Sequence, residues 1–148
     1  MHPEMSVLKA YTSPREFSGF QIPVSLQSLA IRRYSEENGL LFSHHVSENI
    51  TRNTYLVLER VVSEAKPFQA IGMCSVGLLP ANPIQRNALL RSCMAKRVSV
   101  HFVFEQITLN SVAQLDSLAE LMSLATLLSN QSNHLRQVGD LLKGLTRT

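Results

Sequence analysis

Residues 7–39, VLKAYTSPREFSGFQIPVSLQSLAIRRYSEENG, decide the fold. They read as a short strand, Val7–Thr12, a polar turn from Ser13 to Gly19, and a helix from about Ile22 to Asn38. The helix places Ile22, Leu26, Leu29 and Ala30 on one face at helical spacing, with Arg32, Arg33, Glu36 and Glu37 on the others. Pro23 falls in the first turn, where a missing N–H costs nothing, and Gly39 is a natural C-terminal cap. A strand that runs through a polar turn into a helix is the repeating unit of an open parallel sheet, which binds ligands outside the carboxyl ends of its strands. The turn here carries Ser13, Arg15, Ser18 and Gly19 close to a helix start, whose free N–H groups favour anions.

The same alternation continues outward. Leu40–Val46 reads as a second strand and Asn49–Lys66 as a second helix, with Ile50, Thr54, Val57, Leu58, Val61, Val62 and Ala65 as its apolar stripe. Phe68–Val76 is almost continuously apolar or small, as expected of a strand covered on both faces. A loop, Gly77–Ala81, leads to Asn82-Pro83, an N-cap followed by proline at the first helical position. The third helix runs to about Lys96, and Val98–Phe104 is another buried-looking strand. Ser111–Leu128 is helical again, and Asn130–Asn133 separates it from an amphipathic piece, His134–Leu145. This order predicts an open, mainly parallel four-stranded α/β sheet, order 2-1-3-4, with helices on both faces. The turn at Ser13 and the loop after Val76 then meet at the switch point. The chain reads as one domain, with an α/β core at 7–107 and a C-terminal helical segment at 108–148.

Composition narrows the classes of function. Charged residues make up only 17% of the chain, so part of the surface is expected to be covered by another subunit. The helix at Ser111–Leu128 is the expected place, because Leu121, Leu124 and Leu128 widen the stripe formed by Leu115, Leu118, Met122 and Ala125. A homodimer or higher homo-oligomer through this helix follows. The alternative is that His134–Leu145 folds back over it. The net charge of +3 is scattered, which argues only weakly for nucleic acid, and no specific nucleic-acid partner is expected. No apolar run approaches a membrane span, and Met1–Met5 lacks the basic and apolar regions of a secretory signal, so a cytoplasmic protein is expected. Cys74 and Cys93 match no metal or redox spacing and read as buried thiols. His44 and His45, adjacent on a strand, are expected on opposite faces, and His101 as a core histidine, so no metal set forms. Neither a Walker loop nor a dinucleotide fingerprint is present, and no cofactor is expected.

Two resemblances follow from these elements. Tyr11-Thr12-Ser13, Gln27, Tyr34 to Gly39, and Val100–Glu105 followed by Ile107 resemble the catalytic domain of resolvase-type serine recombinases, with the long helix where that family has its dimerising helix. In that family the loop after the third strand supplies arginines that stabilise phosphoryl transfer. Here Val76–Ala81 contains none before Arg86, and no DNA-binding domain follows the long helix, so recombination of DNA is not expected. The chain also resembles a family of small bacterial proteins found sporadically in surface-polysaccharide gene clusters. The shared features are Tyr11-Thr12-Ser13, Gly19–Pro23, Gln27, Leu79-Pro80, Arg86 and His101–Glu105. That likeness implies a role in surface-carbohydrate biosynthesis, binding or modifying a phosphorylated or nucleotide-linked sugar. The rivals are a non-catalytic partner of a biosynthetic enzyme and a degenerate recombinase-like nucleic-acid enzyme.

The candidate residues follow from position and chemistry. Ser13 and Ser75 supply hydroxyls at the two halves of the expected crevice, and Glu105 a carboxylate just past an apolar strand. Ser13 needs a base to act as a nucleophile, and no local pattern provides one. Arg15, Ser18, Gly19, Gln27 and Arg86 are the candidate contacts for a small anionic ligand. Each has a plain alternative: a capping serine, a solvated arginine, or a salt bridge at Glu105.

Overall fold

The structure is a computed structural model that describes residues 5–17, 19, 21–51 and 54–124. Five strands form one sheet in the order β2-β1-β3-β4-β5. They are β1 (Val7–Thr12), β2 (Leu41–Ser47), β3 (Ala70–Met73), β4 (Ser99–Phe102) and β5 (Ile107–Leu109). The first four are parallel in the expected order, and β5 adds an antiparallel edge that the sequence reading did not contain. The turn 103–106 that delivers it holds Gln106 at φ 56, and a strand of only three residues gives no period to read. Helices α1 (Val24–Glu37), α2 (Leu56–Glu64) and α3 (Pro83–Ala95) make the crossovers, and residues 115–124 form a fourth helix, α4. The remainder of the expected Ser111–Leu128 helix and all of His134–Leu145 lie outside the described residues.

The core follows from the pleat. Leu8 and Gly72 share the face covered by α1, where a Cβ on Gly72 would lie 2.8 Å from Leu8 Cδ2 and 3.1 Å from Ile31 Cγ2. The opposite face packs Ile71, Met73 and Val100 against Leu58 and Val62 of α2 and Leu90 and Cys93 of α3. Burial pushes the Cys93 thiol up to about 11. Leu115 and Leu118 of α4 join the core, whereas Leu124 is 54% exposed.

Three local readings change. In α1 the buried residues are Gln27, Ile31 and Ser35, while Leu26 and Leu29 face solvent. The helix is rotated because Gln27 and Ser35 satisfy backbone groups: Ser35 Oγ donates to Ile31 O, and Gln27 reaches the turn after β1. Helix α2 begins at Leu56 rather than Asn49, because the carboxylate of Glu48 accepts the N–H groups of Val57 and Leu58, both at 3.1 Å. Ile50, placed in that helix from its hydrophobicity, lies outside it and is 80% exposed. In β2 the register passes from Lys9 opposite Ser43 to Tyr11 opposite Val46, so β2 carries one extra residue. His44 and His45 fill that bulge, both exposed, and simple alternation does not apply to them. Among the described residues no group of three or more His, Cys, Asp or Glu is placed to hold a metal.

The amino edge of the sheet holds an uncommon turn. Gln69 N donates to Lys66 O at 3.1 Å around Pro67 and Phe68, and Phe68 has φ 68. Proline followed by a left-handed residue is the arrangement of a type II turn, whose third position ordinarily takes glycine. A β-carbon there costs about 1–2 kcal/mol. Arg97, just past α3, is also left-handed at φ 60, in the place where helices commonly end on glycine.

Candidate functional site

The carboxyl edge of β1 is tied down before any side chain is free to act. Thr12 Oγ1 donates to Val46 O at 3.2 Å, and Thr12 O accepts Glu48 N at 2.9 Å. Ser13 follows, and Gln27 clamps its backbone: Gln27 Oε1 accepts Ser13 N at 3.2 Å, while Nε2 donates to Ser13 O at 2.7 Å and Ile22 O at 2.8 Å. Both residues are fully buried. Ser13 Oγ accepts Arg15 N at 3.4 Å, the closure of a short serine turn. The hydroxyl offered from sequence as a nucleophile is therefore enclosed in the turn it organises. Gln27, offered as a ligand contact, has its amide committed to backbone.

Arg15 crosses from this turn to the next loop. Its Nη2 donates to Leu78 O at 2.6 Å, and its guanidinium lies 4.2 Å from the centroid of the Tyr55 ring. Nη1 is buried and makes no hydrogen bond to the described residues. The turn from β1 is in this way bonded to the loop after β3, as the topology predicted.

That loop is built on Ser75 and Glu105. Ser75 Oγ accepts Gly77 N at 3.1 Å, capping the 3-10 turn Val76–Leu78, and donates to Glu105 Oε1 at 2.6 Å. The same carboxylate oxygen accepts Val76 N at 3.1 Å, while Oε2 is buried without a hydrogen-bond partner among the described residues. Burial, reinforced by the Glu105 charge, pushes the neighbouring Cys74 thiol up to about 12, so it is a thiol rather than a thiolate. Glu105 acts as the staple between the β3 and β4 ends; the expected salt bridge is replaced by hydrogen bonds to a hydroxyl and an amide.

Arg86 is 6% exposed, its Nη1 3.5 Å from Ala81 O, and burial holds its guanidinium below the ordinary arginine range. Its α3 helix starts as the sequence indicated: Asn82 Oδ1 accepts Ile84 N at 2.9 Å and Gln85 N at 3.3 Å, with Pro83 at the first position. Gly19 is exposed with φ 81, a conformation suited to glycine, and Ser18 lies outside the described residues. The structure thus brings Ser13, Arg15 and Gln27 into one network and Ser75 and Glu105 into another, joined through Arg15 and Leu78. Arg86 serves the loop end beside them.

Two groups at this edge escaped sequence reasoning. Glu48 is 4% exposed and accepts Tyr11 Oη–H at 2.9 Å besides the α2 amides, and burial together with this carboxylate raises the Tyr11 phenol far above its ordinary range. Tyr55 carries Arg15. Glu48 reaches donors 9 and 10 residues away, a spacing that matches no capping pattern. His101, by contrast, is the satisfied core histidine expected: Nδ1 lies 2.7 Å from the Tyr34 hydroxyl, Nε2 2.9 Å from Ser99 Oγ, and burial lowers its pKa.

With this geometry in hand, comparison with known proteins places the fold. No protein-family profile matches the chain, and no curated protein matches it. Among solved structures, it is similar to the N-terminal catalytic domain of TP901-1 integrase at 13% identity and a TM-score of 0.51, over 86% of this chain and 98% of that one. It is also similar to a resolvase family site-specific recombinase from Streptococcus pneumoniae at 10% identity and a TM-score of 0.54, over 95% and 99% of the two chains. The resemblance to resolvase-type catalytic domains holds for the fold. The expected role in surface-carbohydrate biosynthesis does not hold: the neighbours are, by their names, an integrase and a site-specific recombinase. No helix among the described residues is long and apolar enough to cross a membrane.

Proposed function

We propose that the chain is a recombinase-like module that engages nucleic acid without cutting it, acting in the cytoplasm as a homo-oligomer. The nucleic-acid part rests on the two neighbours, whose likeness spans 86% and 95% of this chain; the net charge of +3 is compatible with it and adds little. The non-cleaving part rests on one observation above all: Ser13 is fully buried, with its backbone clamped by Gln27. A serine attacking a phosphodiester must reach the phosphorus, and a cationic group must face the oxygens that gain charge. Arg15 and Arg86 instead donate to the carbonyls of Leu78 and Ala81. Both guanidinium groups are thereby committed to loop ends rather than aimed at a reacting phosphate. Ser75 and Glu105 hold the edge in shape rather than transferring protons.

The test is a fluorescence anisotropy titration of labelled duplex and single-stranded oligonucleotides at several salt concentrations. Binding with a linear fall of log K against log salt is expected, about 0.9 in slope per phosphate contact on duplex. The absence of binding even at low salt would refute the reading.

A further inference from the structure

The turn at Lys66–Gln69 presents a bulky aromatic where its backbone calls for glycine. Phe68 stands at φ 68 and is 66% exposed, so the fold recovers almost nothing by burying the ring. Its one aromatic-face neighbour among the described residues is Arg97, whose guanidinium lies 5.9 Å from the ring centroid. The two strained residues are joined directly, Phe68 N donating to Arg97 O at 3.0 Å. Further cations stand next to these two residues in the chain. Lys66 and Arg97 are exposed, and Lys96 sits beside Arg97 with its ammonium bonded to Val62 O and Ser63 O at 2.9 Å. Glu64, two residues before Lys66, ends α2. This patch lies at the amino edge of β3 and β4, the opposite edge from Ser13.

We propose that this turn is a stacking platform for single-stranded nucleic acid, with Phe68 taking a base on its open face and Lys66 and Arg97 taking the flanking phosphates. The proposal rests on the nucleic-acid reading above and names the surface and the strand type. An exposed aromatic beside cations fits an unpaired base, which has a free face, whereas bases in a duplex stack on one another. Left-handed Phe68 is tied by its own N–H to Arg97, so ring and guanidinium are held together before a ligand arrives.

The chain contains no tryptophan, which makes a direct probe available. A Phe68→Trp variant would carry the chain's sole indole, and its emission should be quenched by an oligothymidylate but not by an abasic strand of the same length. In anisotropy, Phe68→Ala should lose about five- to a hundredfold in affinity for the oligothymidylate, the worth of one stacked base, with duplex affinity unchanged. Phe68→Gly guards against misfolding: glycine suits this φ, so the variant should be at least as stable as the parent and still lose the stacked base. Wild-type protein that binds single strands with affinity unaltered by Phe68→Ala would overturn the platform and leave the broader reading standing. Wild-type protein that binds no nucleic acid would overturn both.

Discussion

Replacing Gln27 by leucine tests whether the Ser13 turn is built by an amide clamp or merely borders a ligand site. Gln27 is fully buried and satisfies three backbone groups: Ser13 N, Ser13 O and Ile22 O. Leucine fills a similar volume but offers none of these hydrogen bonds. Each backbone group left buried and unpaired costs about 1–3 kcal/mol, partly recovered where the turn loosens to admit water. A net loss of about 3–5 kcal/mol follows, a large fraction of the 5–15 kcal/mol that typically holds a domain together. For a chain of this length that is roughly a 10 °C drop in Tm. Urea and thermal unfolding followed by far-UV circular dichroism suit a protein without tryptophan. A loss below about 1 kcal/mol would refute the clamp, since neighbouring groups would then have to satisfy the turn without Gln27. If Gln27 were instead a ligand contact, its substitution would weaken binding while leaving the unfolding midpoint in place.

Other perturbations read other parts of the structure. Gly72→Ala places a Cβ 2.8 Å and 3.0 Å from the Leu8 methyls and 3.1 Å from Ile31 Cγ2, and should cost about 1–3 kcal/mol in urea unfolding as α1 is pushed from the sheet. His101 is held neutral by burial, so the folded chain binds fewer protons there than the unfolded one. Its contribution is complete above the ordinary histidine value of about 6.5 and is lost as pH falls from there towards its lowered value; His101→Gln should flatten that part of a stability-against-pH profile. Leu124→Glu, at an exposed position of α4, should convert a dimer into a folded monomer in sedimentation, whereas wild-type protein that is monomeric at micromolar concentration would end the oligomer proposal.

The scaffold was legible because its signals are local and repeated. Hydrophobic runs separated by amphipathic stretches specified the β/α alternation, and Asn82-Pro83 and Gly39 marked helix ends that the structure reproduces. Parallel pairing then limited the strand order. The two misread helices share one physical origin, polar side chains drawn inward by distant backbone groups. Counting hydrophobes turned α1 towards Leu26 and Leu29, when the buried face is fixed by Gln27 reaching Ser13, 14 residues away. The start of α2 was misplaced because its amides are capped by Glu48, which a reading of residues beside the helix does not find. At the candidate site the sequence gives residue types and positions but not their partners. A serine and an arginine at a strand end look available in sequence, and only burial and partner geometry show that Ser13 is enclosed and that Arg15 spans to Leu78. The functional class failed for a different reason: it rested on a gene-cluster resemblance and a turn suited to any anion, and such a turn does not distinguish a sugar phosphate from a nucleic-acid phosphate.

One measurement bears most directly on the central claim. Supercoiled plasmid and a fluorescent single strand are incubated with the protein at low salt, resolved on a native gel, and resolved again after denaturation with detergent. The account predicts a shift of nucleic acid in the first gel, and in the second unshifted strands with the plasmid still supercoiled. Nicked or relaxed plasmid, or a protein–DNA adduct that survives detergent and maps to Ser13, would contradict it, as would nucleic acid that never shifts.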